Sequence, residues 1–155
     1  DEGWISLTDG NVIDYEAIRD AALKDCEHLQ IQRISYDRMF AGQMVQEIDT
    51  KLKGVEIVPV AQTFYGSSPA VKELQRLLGS GEARGKPRML HGPNPVARWM
   101  ASLVEAKNDG LDNLRLVKPD RQKSQSRIDG MSAMVTGLDG YVRRPVKKTY
   151  YAYTA

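Results

Sequence analysis

Ile31-Gln32-Arg33-Ile34-Ser35-Tyr36-Asp37 and, one helix-length later, Val55-Glu56-Ile57-Val58-Pro59-Val60 are the stretches whose spacing decides the fold. Each is a short apolar run rich in β-branched and aromatic residues, the pattern of a strand. Between them Met44, Val45, Ile48 and Leu52 recur at helical spacing over about residues 40–53, and Gly54 supplies the stop. Strand, helix and strand joined by short links imply an α/β layer fold that is at least partly parallel. Pro59 removes a ladder donor, which puts its strand at an edge or at its own end. Ligands of such sheets bind at the carboxyl ends of the strands, where Asp37 falls.

Working outward, Trp4-Ile5-Ser6-Leu7-Thr8 reads as a short strand or extended arm, closed by the turn Asp9-Gly10-Asn11. Asp14 caps a helix over about 15–28 with Ile18, Ala21, Ala22 and Cys26 on one face. Ser67-Ser68-Pro69 has the cap-plus-proline form of a helix start, followed by the stripe Val71, Leu74, Leu77 and Leu78. A glycine-rich loop covers 79–87, and a short strand fits 88–91. Asn94-Pro95 repeats the helix-start signal for about 95–106, with Val96, Trp99, Met100 and Leu103 inward. Leu114-Arg115-Leu116-Val117 is extended, and a last helix covers about 125–142.

The chain of 155 residues suits one domain with a proper core, and 41% hydrophobic with 27% charged residues is ordinary for a globular protein. No apolar run reaches the ~18 residues of a membrane helix, and the acidic start Asp1-Glu2-Gly3-Trp4 is not a signal peptide. The single Cys26 excludes an internal disulfide and an all-cysteine metal site, fits a reducing compartment, and reads as core packing. Charge is uneven: residues 1–60 carry 12 acids and 6 bases (−6), residues 61–155 carry 8 acids and 16 bases (+8). That asymmetry points to an anionic partner for the C-terminal part, against the plainer reading of solvated helix faces.

Several motifs fail. Gly85-Lys86 lacks the earlier glycine and the Ser/Thr of a phosphate-binding loop, having Ser80 and Pro87 there instead. His28 and His91 have no Cys or His at ligand spacing, which argues against zinc. No Gly-x-Ser-x-Gly marks a nucleophile. Asn94, before Pro95, is a helix cap rather than a site residue.

Asp129, in Ile128-Asp129-Gly130, is the other acid that stands out. It opens the apolar stretch Met131-Ser132-Ala133-Met134-Val135, where a carboxylate kept at the mouth of a buried helix must pair, accept hydrogen bonds or hold metal. Arg115, Lys118, Arg121, Lys123 and Arg127 lead up to it, a density that fits a phosphate track running into a metal site. Two carboxylates, one at a strand end and one at a helix start, suggest divalent-metal phosphodiester chemistry and should lie together at the carboxyl edge of the sheet. The plain alternatives are that Asp37 caps its own turn, that Asp129 answers the helix dipole, and that the cations belong to a solvated loop.

Taken in order, Trp4 through Tyr15, Ile34-Ser35-Tyr36-Asp37-Arg38, Pro69 through Leu74, His91 through Met100, and Lys123 through Gly130 resemble the large terminase subunits of tailed bacteriophages, over residues 3 to 144. The resemblance implies a ribonuclease-H-like α/β fold with a mixed sheet flanked by helices, here incomplete, over 1–144, with 145–155 as a tail. It implies a metal-dependent endonuclease that cuts concatemeric phage DNA during packaging, in the cytoplasm of the bacterial host. By the family pattern, Asp37 and Asp129 are the second and third acids holding Mg²⁺ or Mn²⁺. Lys123 is then the catalytic cation near the scissile phosphate, with Arg115, Lys118, Arg121 and Arg127 on the DNA backbone. The partners implied are double-stranded DNA, the small terminase subunit and the portal, with no membrane. The family's first acid would lie upstream of the residues present, so the chain is expected to be truncated and inactive alone. Residues 31–36 would then pair with another copy or be covered by the arm from Trp4 to Thr8. Two alternatives stay open: a non-catalytic DNA-binding or packaging-docking module, and another ribonuclease-H-like enzyme such as a transposase or resolvase.

Overall fold

A computed structural model describes residues 3–39, 42–79, 89, 92–119 and 127–144. Its elements run α1 (Tyr15–His28), β1 (Arg33–Asp37), α2 (Gly42–Lys51), β2 (Glu56–Val60), α3 (Phe64–Gly79), α4 (Pro95–Ser102), β3 (Glu105–Asn108), β4 (Leu114–Val117) and α5 (Asp129–Val142).

The strand–helix–strand unit forms as the spacing predicts. β1 and β2 pair in parallel, Arg33 opposite Glu56 through Asp37 opposite Val60, and α2 buries Val45 and Ile48. Pro59 lies opposite Tyr36 in a strand whose one strand partner, among the described residues, is β1. The other two strands make a separate antiparallel hairpin, with Lys107 opposite Arg115, so the described strands form two small sheets.

The core lies where α3, α5 and β4 meet. Ala70, Val71, Leu74, Met131 and Val135 are buried together, and Met100, Leu114, Leu116 and Leu138 pack around them. α5 also covers β1, and the fit is close: a Cβ on Gly140 would collide with the Ser35 hydroxyl and press on Arg33. Arg33 uses that approach, donating from Nη1 to the Gly140 carbonyl at 2.6 Å while pairing with Glu56.

α3 departs from the sequence reading. It begins at Phe64, three residues before Ser67, because Thr63 caps it: the Thr63 hydroxyl accepts from the Gly66 N–H at 2.9 Å. Ser67 and Ser68 are therefore buried inside the helix, where they tie it to β4. The Ser67 hydroxyl donates to the Thr63 carbonyl at 2.7 Å, and the Ser68 hydroxyl accepts from the Leu114 N–H at 3.1 Å. Pro69 sits within the helix and leaves the Tyr65 carbonyl without its usual donor, on a side exposed enough for water to serve it.

Other expectations shift as well. α4 stops at Ser102, and Glu105–Asn108 forms β3 because pairing with β4 outweighs the helix preference of Glu, Ala and Lys. Trp99 is 49% exposed and Ile18 47%, so neither faces inward. α1 has no buried residue, and Cys26 is half-buried rather than part of the core. The final helix starts at Asp129, not near 125. No strand forms among residues 3–14, so the stretch from Trp4 to Thr8 adds no ladder to β1. The expected loop over 79–87 and strand over 88–91 fall almost wholly outside the described residues. Among the described residues, no helix is long and apolar enough to cross a membrane.

Candidate active site

Asp37 is the last residue of β1 and half-buried. Its Oδ1 accepts from the Met39 N–H at 3.0 Å, so the carboxylate turns the chain out of the strand and keeps its other oxygen for a further partner. Asp129 is the first residue of α5. It is exposed, not held in the apolar surroundings expected of it, because the helix turns Met131 and Val135 to the core and Asp129 to solvent. Its carboxylate therefore escapes the desolvation cost that the sequence reading assigned to it.

Two hydrogen bonds tie α5 to the parallel pair. Arg33, at the start of β1, meets Gly140 near the end of α5, and Gln62, two residues past β2, donates to the Thr136 hydroxyl at 2.9 Å. Asp129 lies seven residues before Thr136, about 10 Å along the helix at ~1.5 Å per residue.

The basic residues fall on one side of this arrangement. A groove of about 1110 Å³ is lined by Phe64, Lys107, Arg115, Lys118, Arg127 and Ile128, the residue before Asp129. Arg115 is aimed from two directions: Nη1 donates to the Gln62 carbonyl at 3.4 Å, and the guanidinium lies 4.8 Å above the Phe64 ring. Glu105 also lines the groove, so it is not purely cationic. Arg121 and Lys123 lie outside the described residues. Sequence reading missed Lys107, which it left beyond its helix over 95–106. The β3–β4 register sets Lys107 directly across from Arg115, and cross-strand partners share a face.

Carboxylate oxygens at Asp37 and Asp129 have the hard-donor chemistry that Mg²⁺ and Mn²⁺ prefer. The number of donors falls short, because no group of three or more His, Cys, Asp or Glu that could hold a metal ion forms among the described residues. Asn94 is a cap, its Oδ1 accepting from the Val96 and Ala97 N–H groups at 3.0 Å each.

Comparison with known proteins adds the family. The crystal structure of the HK97 bacteriophage large terminase matches with a TM-score of 0.73 and 27% identity, over 90% of this chain and 27% of that one. The chain thus spans about a quarter of the length of that phage protein. A search of curated proteins gave no match. The family model for the terminase large subunit, endonuclease domain, matches residues 1–142, nearly the whole chain, and the chain belongs to that family of terminase nuclease domains.

Proposed function

We propose that this chain is the DNA-cutting part of a packaging terminase, a ribonuclease-H-like endonuclease that hydrolyses phosphodiester bonds of concatemeric phage DNA in the host cytoplasm. The observation that carries the reading is the groove that Arg115, Lys118 and Arg127 line together with Ile128, the residue before Asp129. These cations neutralise backbone phosphates and set the register of the duplex with little sequence preference. The family resemblance gives Arg121 a further phosphate contact and Lys123 the charge developing at the scissile phosphate. Asp37 and Asp129 contribute carboxylate ligands to a divalent ion, Mg²⁺ or Mn²⁺. When bound, that ion supplies an activated water and stabilisation of the leaving oxygen. The small terminase subunit and the portal are the expected protein partners. Family membership favours this reading over the transposase or resolvase alternative.

The test is plasmid cleavage in Mn²⁺ by the terminase polypeptide that carries this domain, with Asp37→Asn and Asp129→Asn alongside. Loss of cutting in both variants with DNA binding kept supports the reading. Cutting that persists in both, or that survives excess chelator, overturns it. A second reading, a non-catalytic DNA-binding module, is favoured by the lack of a three-donor cluster among the described residues, and it predicts DNA binding with no cutting in any form.

A further inference from the structure

The β3–β4 hairpin forms one wall of the basic groove, and its register carries a cost that packing does not explain. Lys107 lies directly across from Arg115, and both line the groove. Side chains so opposed stand about 5 Å apart at Cβ, and two like charges there destabilise the strand pair. Glu105, two residues back along β3, shares their face and the groove. Among the described residues no ion pair joins it to either cation, so the opposition is not relieved within the hairpin. Every residue of β3 is exposed, which leaves Lys107 open to a ligand. Arg115 is half-buried, yet its guanidinium has five N–H donors and gives one to the Gln62 carbonyl.

The pair is also held in place. Leu114, which opens β4, is bonded through its N–H to the Ser68 hydroxyl of α3 at 3.1 Å. Asp112 pairs with Lys72 of α3 at 2.6 Å. Asp109 closes the turn between the strands, its Oδ1 accepting from the Leu111 and Asn113 N–H groups at 2.8 and 3.1 Å. Two opposed cations on so fixed a strand pair are an anion seat whose geometry exists before the anion arrives, which lowers the ordering cost of binding.

We infer that Lys107 and Arg115 together seat one backbone phosphate of duplex DNA, making the β3–β4 hairpin a DNA-binding element. The inference rests on the reading of the groove as the DNA track. It extends that track beyond Lys118 and Arg127 to a strand that carries no other cation, and it works by charge neutralisation with or without a bound metal.

The experiment measures binding of this chain to a labelled duplex by fluorescence anisotropy across salt, and its unfolding midpoint without DNA. Lys107→Gln keeps the stem and removes the charge. It should lower the slope of log affinity against log salt by about 0.9, the share of one phosphate contact, whereas Lys107→Arg should keep the slope. Without DNA at low salt, the Lys107→Gln midpoint should be no lower than that of wild type, and higher by on the order of 1 °C where the like-charge opposition is felt in full. A fall in that midpoint overturns the inference, since Lys107 would then serve the fold. A slope unchanged by Lys107→Gln, while Lys118→Ala with Arg127→Ala lowers it, overturns the hairpin seat and leaves the groove reading standing. If that double variant keeps the wild-type slope and Lys107→Gln alone lowers it, the groove reading fails and the hairpin seat stands. No binding by the wild-type chain even at low salt overturns both.

Discussion

Replacing Lys118 and Arg127 together with alanine is the most direct probe of the groove, because both line it beside Ile128. Each phosphate contact on duplex DNA contributes about 0.9 to the slope of log affinity against log salt, so losing two lowers the slope by about 1.8. Between about 50 mM and about 200 mM salt, a fourfold range, wild-type affinity should therefore fall about 12-fold more than that of the double variant. Arg115→Ala should behave differently. Its guanidinium is engaged by the Gln62 carbonyl and the Phe64 ring, so its removal also disturbs the packing around it. It should cost on the order of 1 kcal/mol of stability, from one hydrogen bond and one partly buried cation–π contact. Fluorescence anisotropy on a labelled duplex, repeated across salt and on two unrelated sequences, reads both quantities. A slope that is the same in wild type and double variant would remove the groove as the DNA track. A slope that drops on one sequence only would point to base readout rather than phosphate contact.

Three further outcomes follow from the packing. Gly140→Ala should destabilise the fold by about 1–3 kcal/mol, because its Cβ meets the Ser35 hydroxyl where α5 lies on β1; an unchanged thermal midpoint would show that the two elements separate easily. Asn94→Ala removes the acceptor for two α4 amides and should cost ~1 kcal/mol, while Asn94→Asp should cost little, as denaturant titration would show. Arg19 lowers the Glu47 carboxyl below its ordinary 4.5, chiefly by hydrogen bonding to it with Gln43 assisting, and lowers Asp20 in the same way. A depressed carboxylate stabilises the fold above the unfolded value and loses that contribution as pH falls through the folded one. Arg19→Met should therefore flatten the decline of the unfolding midpoint below about pH 4.5, and an identical acid limb in both proteins would exclude the pair as its source.

Local chemistry was readable wherever a residue and its partner are close in sequence. Asp14 caps α1 at Ala17, and Asn94 caps α4 at Val96 and Ala97, because a cap needs only its own turn. The parallel pair β1–β2 was readable for a similar reason, since α2 is a short crossover with a clear apolar face. The placement of Asp37 at a strand end followed from the boundary of β1, whereas the last helix, expected from about residue 125, begins at Asp129 itself.

Where partners lie far apart in sequence, tertiary structure decided. Ser67 and Ser68 look like caps, but Leu114, some 46 residues away, supplies their partners and draws them into the helix. Glu105 to Asn108 has helix-forming composition, and only the hairpin partner makes it a strand and brings Lys107 beside Arg115. The setting of Asp129 was invisible for the same reason. Sequence puts it before an apolar run, which suggests burial, whereas the rotation of α5 against α3 turns Met131 and Val135 to the core and leaves Asp129 in water. The amide that follows it is then served by a sulfur 30 residues away. Sequence by itself determined which segments become helix or strand wherever a turn's worth of residues settles the matter. The rotation of α5, the gathering of the basic groove and the bond from Gly130 to Met100 arise only when distant segments pack, because each depends on a surface that exists only in the folded chain.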